Sequence, residues 1–256
     1  MAITFPQQSE VRLKKSPLRE VLCQVRFPPI LRIGKEIPID FQEAIRNRYP
    51  GLEVEQGVLL QFGISPAIEK PTMETAPKIY RFKTLNSKSS VALATDFFAL
   101  STTDYTHWHD FVNDFSFTEK AVQDVFAPPI TSRIGLRFIN QFTRKNTGCS
   151  SYKELLRLFR DDLTCFIRSD AWSEPEETIS QYVIPDGKAK LTIRFGYGKE
   201  QNEKFFILDF DYFEDGQLEF NNLSKRLNRY HNQIYQAFRW CIKDSSLERF
   251  EPIGGD

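Results

Sequence analysis

The chain is poor in the residues that most often build metal and redox centres. It has 256 residues but only three histidines and four cysteines. No CxxC or CxxH spacing occurs among them, so neither a zinc cluster nor a redox motif is predicted. We expect the four thiols to be buried and reduced, because free cysteine is usually a core residue.

The sequence signatures of common reactions are absent as well. GxSxG, GxxxxGK[ST], HExxH and GxGxxG do not occur, so hydrolase, phosphate-loop and dinucleotide sites have no local support. The sequence therefore favours a non-catalytic protein without a cofactor or a bound metal, and an enzymatic function stays open.

Long apolar runs and net charge are also missing. No apolar run reaches the roughly 18 residues that a membrane helix needs, and the first 17 residues lack the apolar region of a signal peptide. We therefore expect a cytoplasmic protein without a membrane contact. Lys and Arg together number 34, as do Asp and Glu, so no overall field draws the chain to nucleic acid.

Phenylalanine, in contrast, is abundant, with 23 residues, and aromatic side chains favour the pleated surface of sheets. The stretch Ile130–Phe142 alternates with a period of two, with Ile134, Leu136 and Phe138 on one face and Arg133, Gly135 and Arg137 on the other. A period of two predicts a half-buried strand. This strand also opens a second copy of the preceding pattern.

The repeat is visible as matches at a nearly constant offset. At 111 residues, Pro17 matches Pro128, and the pair Arg26 and Phe27 matches the pair Arg137 and Phe138. Further matches follow at slightly larger offsets: Tyr80–Phe82 with Ile193–Phe195 at 113, and Asp96–Phe98 with Asp211–Phe213 at 115. An offset that grows only across loops indicates duplication with small insertions.

Periodicity and turn residues predict the elements. They are a strand Leu18–Phe27, a helix Phe41–Tyr49 capped by Asp40, a strand Leu52–Gly63, a loop Ser65–Pro77, a hairpin of Lys78–Leu85 and Ser90–Leu100, a helix from about Tyr105 to Val125, and a closing helix Leu223–Ile242. Each repeat thus follows the order strand, helix, three strands, helix.

This order predicts an α+β fold in which a mainly antiparallel sheet carries its helices on one face. The predicted parts are a flexible, solvated arm (residues 1–16), a first repeat (17–127), a second repeat (128–246) and a tail (247–256). Whether the repeats continue one sheet or form two stays open. The nearest analogies in element order are the curved sheet of TATA-binding proteins and duplicated bacterial effector-binding domains, and such analogies do not fix a function.

Some of these residues give the chain a resemblance to a known family. They are Pro17, Leu18, Glu20 and Val25–Phe27 of the first strand, the strand Arg133–Asn140, and His231, Ile234, Tyr235 and Phe238 of the closing helix. In these features the chain resembles sporadically distributed, uncharacterised bacterial and archaeal proteins of about this length. The resemblance implies patchy inheritance, which is typical of mobile elements and of antiviral defence or toxin loci. It implies no activity.

The histidines give little support to a metal site. His107 and His109 would share a face on a strand, but the pattern places them at a helix start, where residues two apart diverge. The only other histidine is His231, so a site would also need an acidic ligand: Asp104, Asp110 or Asp114. We expect a capped, partly exposed helix end instead.

Two carboxylates form a second candidate. Asp209 and Asp211 fall on one face of a strand, and paired carboxylates can share a proton or bind a divalent cation. Together with His231 they define a candidate pocket between the two repeats. The alternative is an ion pair between each aspartate and a strand arginine.

Five arginines form the third candidate: Arg26, Arg81, Arg133, Arg137 and Arg194. On the uncovered face of a continuous sheet they could form a basic stripe for phosphates or an acidic partner. Acidic residues recur at matched positions too, Glu43 with Glu154 and Asp96 with Asp211, which favours internal salt bridges within each repeat. Both interpretations stay open.

Three functions are consistent with these features. The first is a protein-interaction or regulatory module, for example an accessory subunit of a defence or toxin system, bound to a protein partner or to a second copy. The second is nucleic-acid binding by the arginine face. The third is a small-ligand or enzymatic pocket between the repeats. We favour the first.

Overall fold

The computed structural model describes residues 3–56, 78–172, 175–200 and 203–253. Their elements in chain order are β1 (Arg12–Leu13), β2 (Leu18–Arg26), α1 (Leu31–Lys35), α2 (Ile39–Ile45), β3 (Gly51–Gln56), β4 (Lys78–Lys83), β5 (Ser89–Ala94), β6 (Phe97–Thr102), α3 (Trp108–Phe126), β7 (Ile130–Thr143), α4 (Arg144–Thr147), α5 (Tyr152–Leu156), α6 (Asp161–Thr164), β8 (Thr178–Asp186), β9 (Ala189–Glu200), β10 (Glu203–Glu219), α7 (Leu223–Cys241), a 3₁₀ helix (Asp244–Phe250) and β11 (Pro252–Ile253).

Nine strands form one antiparallel sheet in the order β3-β4-β5-β6-β2-β7-β10-β9-β8. The first predicted repeat supplies β3 to β6 and β2, and the second supplies β7 to β10. The two therefore continue one sheet, joined by the β2–β7 pair at its centre. The predicted α+β class with an antiparallel sheet is confirmed.

In the central pair β2–β7, two residues that the repeat relates lie opposite each other. Gln24 lies opposite Gly135, its counterpart at the offset of 111. On either side of this pair, Leu22 faces Arg137 and Arg26 faces Arg133, and the offset exchanges these two pairs. The first strands of the two repeats are thus related by a local two-fold axis through Gln24 and Gly135.

The helices cover one side of the sheet, as predicted. The inward residues of the central strands, among them Val21, Leu136 and Phe142, are fully buried. Phe142 makes edge-to-face contacts with Phe159, at 4.8 Å between ring centroids, and with Phe250 of the 3₁₀ helix. Aromatic pairs of this geometry add about 0.5–1.5 kcal/mol beyond the area that they bury. We call the opposite side, on which no helix of the described residues packs, the uncovered face.

The predicted hairpin of Lys78–Leu85 and Ser90–Leu100 consists of three strands, β4, β5 and β6. A turn at Thr95 and Asp96 divides the segment Ser90–Leu100 into β5 and β6. No glycine or proline marks this turn, so the pattern alone gave a single strand. As a result, β4 lies three strands from the central strand of its repeat and β9 only two, and the match of Arg81 with Arg194 is not a structural equivalence. Asp96 lies in a turn, whereas Asp211 lies within β10.

Other elements differ in extent. Asp40 lies in the first turn of α2, and Pro38 occupies the N-cap position that was predicted for Asp40. The predicted strand Leu52–Gly63 is described as far as Gln56, and the predicted loop Ser65–Pro77 lies outside the described residues.

The segment that was expected to be a solvated arm lies along α7 in its described part. The Val11 N–H donates to the Tyr235 hydroxyl at 3.0 Å. Gln8 and Gln236 exchange two hydrogen bonds between backbone and side-chain amide, of 2.8 and 3.0 Å. The arm then pairs β1 with β11. Terminal segments are ordered where such bonds attach them to the fold.

Candidate functional site

All five candidate arginines lie on the uncovered face. Strand register explains this, because side chains directly opposite in neighbouring strands share a face. Arg137 faces Asp211 of β10, and Arg194 of β9 faces Asp209. The arginines and the two aspartates that sequence analysis singled out are therefore neighbours.

Asp209 is the centre of this group. Arg137 donates to both of its oxygens, from Nε and Nη2, each at 2.7 Å, and Arg194 Nη1 donates at 3.2 Å. The Asp209 side chain is only 3% exposed, whereas those of the two arginines are about a third exposed. Its burial as an anion is thus offset by a two-pronged guanidinium contact and a second cation.

Asp211 is held less tightly. Arg133 Nη2 donates to it at 3.1 Å, and the same guanidinium lies 3.4 Å from Asp215 and 3.7 Å from the centre of the Phe213 ring. Burial raises the pKa of Asp211, and the nearby arginines oppose this shift only in part.

The remaining two arginines are also paired. Arg81 forms two hydrogen bonds to Glu55, of 2.7 and 3.1 Å, which lower the pKa of that carboxyl. Arg26 lies 3.8 Å from Asp96. Five arginines on this face thus meet five carboxylates, and each pair lies within one repeat. The geometry supports the salt-bridge interpretation, because a phosphate would have to compete with a carboxylate at every arginine.

His231 lies on the other side of the sheet. It belongs to α7, where its ring stacks on Trp108 with centroids 4.2 Å apart and planes at 5°. The predicted pocket of Asp209, Asp211 and His231 is therefore not formed, since β10 separates the two aspartates from the helix layer. Burial lowers the pKa of His231 to about 4, so its ring is neutral at pH 7. It lines a cavity between α7 and the arm.

The other two histidines stand at the start of α3, as predicted. His107 is in an extended conformation at the N-cap position, and His109 contacts the Asn113 amide at 3.1 Å. Among the residues that the structure describes, no three His, Cys, Asp or Glu side chains are grouped in a way that could hold a metal.

The outer strand β8 is one of the three strands predicted for the second repeat, but the sequence pattern gave it no bounds. This strand ends the sheet and pairs only with β9 within the described residues. Ile179, Tyr182 and Val183 are 66, 57 and 53% exposed. From Thr178 to Ile184 the strand carries no charged side chain. An uncharged run rich in β-branched residues is a signal that a search for strand edges could have found.

The opposite outer strand has a different character. In β3, Glu53 pairs with Lys83 at 2.6 Å and Glu55 pairs with Arg81 at 2.7 Å. Charged side chains on an edge strand oppose the addition of a further strand, because their desolvation is costly. Within the described part of the sheet, β8 is the border strand without this protection.

Comparison with known proteins adds no identification. A scan against models of protein families and a search of curated proteins both gave no match. Within the described residues, none of the helices has the length and apolar character that crossing a bilayer requires.

Proposed function

We propose that this protein is a non-catalytic interaction module that assembles through β8, with β8 of a second copy as the partner strand. The supporting observation is an edge with no partner strand among the described residues, combined with three exposed apolar side chains. Addition of a strand to such an edge satisfies its outward peptide groups and covers its side chains.

Several features favour a second copy as the occupant. An antiparallel pair of β8 strands obeys two-fold symmetry, so each strand presents the same surface to the other. The run Thr178–Ile184 contains no charge that would oppose its own image. In a second copy, the same run is an uncharged strand rich in β-branched residues, which are favoured in sheets.

The test compares one substitution at the two borders. Val183→Lys places a charge on β8, and Val54→Lys places the same charge on β3 at a matched exposure, 53 against 55%. We expect the wild type and Val54→Lys to form dimers in sedimentation velocity. Val183→Lys should weaken association on the order of 100-fold, because pairing of the edge would have to desolvate the new charge in each copy.

Two results would contradict the proposal. One is a wild-type protein that stays monomeric at about 100 µM, a concentration at which mass action would reveal even a weak dimer. The other is an equal effect of the two lysines. Circular dichroism of both variants separates lost association from lost folding.

We further propose a cytoplasmic location and a role as an accessory subunit in a defence or toxin system. The location is supported by the four free cysteines, of which Cys23, Cys149 and Cys241 are buried, since reduced thiols are usual in reducing compartments. The role rests only on the family resemblance. Fractionation of the native host and recovery of the dimer from its cytosol would test the location.

A further inference from the structure

A cavity of about 400 Å³ lies on the helix side of the sheet, where the two repeats meet. Its floor includes Phe138 and Asn140 of β7, and one wall is the inward side of α7 with His231 and Ile234. The segment before α3 and the arm close the remaining sides. This volume is within the range of small-molecule sites, which are commonly found between such units.

The N-terminal arm forms one side of this cavity. The Tyr235 hydroxyl accepts from the Val11 N–H and donates to the Ser9 carbonyl at 2.9 Å, so α7 holds the arm at the level of the cavity. On the far side, the Lys14 N–H donates to the Glu251 carbonyl at 3.1 Å. These bonds place Glu10 beside the opening.

The lining is mainly aromatic and apolar. Trp108 and His231 stack in parallel, and Tyr105 meets Phe138 edge to face at 5.6 Å. Such walls favour flat, apolar molecules, because both faces of an aromatic ring can be buried without the loss of hydrogen bonds to water.

The Glu10 carboxylate and the His231 ring come close together in the lining. The Glu10 carboxylate lies 3.7 Å from Nε2 of His231, which is too far for a hydrogen bond. The Glu10 side chain is 55% exposed, so the fold does not depend on it. A ligand N–H between the wall and this carboxylate would find an acceptor there. Arg12 and Lys14 of the arm also line the cavity; both are solvent-exposed, and Lys14 lies 3.6 Å from Glu251.

We propose that this cavity binds a small, uncharged, planar nitrogen heteroaromatic, whose ring packs against Tyr105, Trp108 and Phe138 and whose N–H donates to Glu10. The cavity contains no residue of β8, so ligand binding can be tested independently of assembly through that strand. A small-ligand pocket was the third function consistent with the sequence. The cavity proposed here includes His231 but neither Asp209 nor Asp211.

The test uses indole and adenine as probes and indole-3-carboxylate as the anionic counterpart. Protein labelled with 5-fluorotryptophan gives one ¹⁹F signal for each of its three tryptophans, and Trp108→Phe assigns the signal at the cavity. We expect indole or adenine to shift the Trp108 signal in a saturable way. Trp172 and Trp240, which do not line the cavity, serve as internal references.

Glu10→Gln should weaken binding of the probe by about tenfold, since a hydrogen bond to a charged group is lost. Glu177→Gln, at another exposed glutamate, should leave binding unchanged. Three results would overturn the proposal: no Trp108 shift at millimolar indole and adenine, equal shifts of all three signals, or equal affinity for indole-3-carboxylate. Circular dichroism of Glu10→Gln confirms that the variant is folded.

Discussion

The two sides of the sheet bury a titratable side chain in opposite ways. On the uncovered face, Asp209 is buried beside two guanidinium groups. On the covered side, His231 is buried against Trp108, and its pKa falls to about 4 because burial disfavours the charged ring. Asp209 is thus paired with two cations, whereas the His231 ring is neutral.

This difference determines which parts of each side can contact a partner or a ligand. The charges in the centre of the uncovered face are occupied by internal pairs, so its centre is closed to a polyanion and its uncharged border at β8 is the better contact. On the covered side, the buried carboxylates of Asp186 and Glu214 are paired with Arg229 and Arg226 of α7, and a cavity with aromatic walls lies beside His231. We expect the contrast to be measurable as stability.

The largest expected effect is on the covered side and depends on pH. The pKa of His231 is lower in the folded state than the ordinary value of about 6.5, so only the unfolded chain binds this proton between these values. Stability is therefore lost as pH falls through 6.5 towards 4, by up to about 3 kcal/mol from this residue. Urea denaturation of the wild type and His231→Gln from pH 7 to pH 4.5 measures the difference in slope.

Equal pH slopes of wild type and His231→Gln would contradict the lowered pKa, because they would show that His231 takes up its proton at the same pH in the folded and unfolded states. The difference between the two slopes is the relevant quantity, because the carboxylates that titrate in the same range contribute to both proteins.

A smaller effect is expected at the centre of the uncovered face. Asp209→Ala leaves Arg137 and Arg194 without their shared carboxylate. We expect a loss of about 2 kcal/mol, below the 3–5 kcal/mol of fully buried pairs, because both arginines retain contact with water. Asp215→Ala is the control: its side chain is 50% exposed, and its removal should cost less than about 1 kcal/mol. Similar losses for the two would contradict a special role of Asp209.

The smallest effect is expected at Arg26, the most exposed of the five arginines at 48%. Arg26→Gln should change stability by less than about 0.5 kcal/mol. If the arginines are engaged internally, the substitution should also leave the weak, nonspecific affinity for a mixed-sequence duplex unchanged. A basic stripe predicts instead that the slope of log affinity against log salt falls by about 0.9. Fluorescence anisotropy at two or more salt concentrations distinguishes these outcomes.

The sequence was most informative where periodicity was strong. The alternation through Ile134, Leu136 and Phe138 predicted β7, and the offset of 111 identified β2 as its counterpart, while the pairing of the two strands was left open. It also placed Asp209 and Asp211 on one face of a strand, and left open whether they pair with arginines. It could not assign His231, because the face of a helix that meets a sheet depends on how the chain crosses from β10 to α7.

Two further features depended on tertiary structure. The turn at Thr95 and Asp96 has no strong local signal, and its hydrogen bonds, such as Phe27 N–H to the Asp96 carbonyl at 2.9 Å, come from a distant strand end. The position of the arm depends on Gln236 and Tyr235, more than 200 residues away in sequence. Local patterns carry no information on such contacts.

Hydrogen exchange of the β8 peptides as a function of protein concentration tests the central claim most directly. Pairing of two β8 strands predicts that exchange within Thr178–Ile184 slows as concentration rises, whereas exchange within Gly51–Gln56 of β3 does not change. Exchange in β8 that is independent of concentration, in a protein that is otherwise folded, would contradict assembly through this strand.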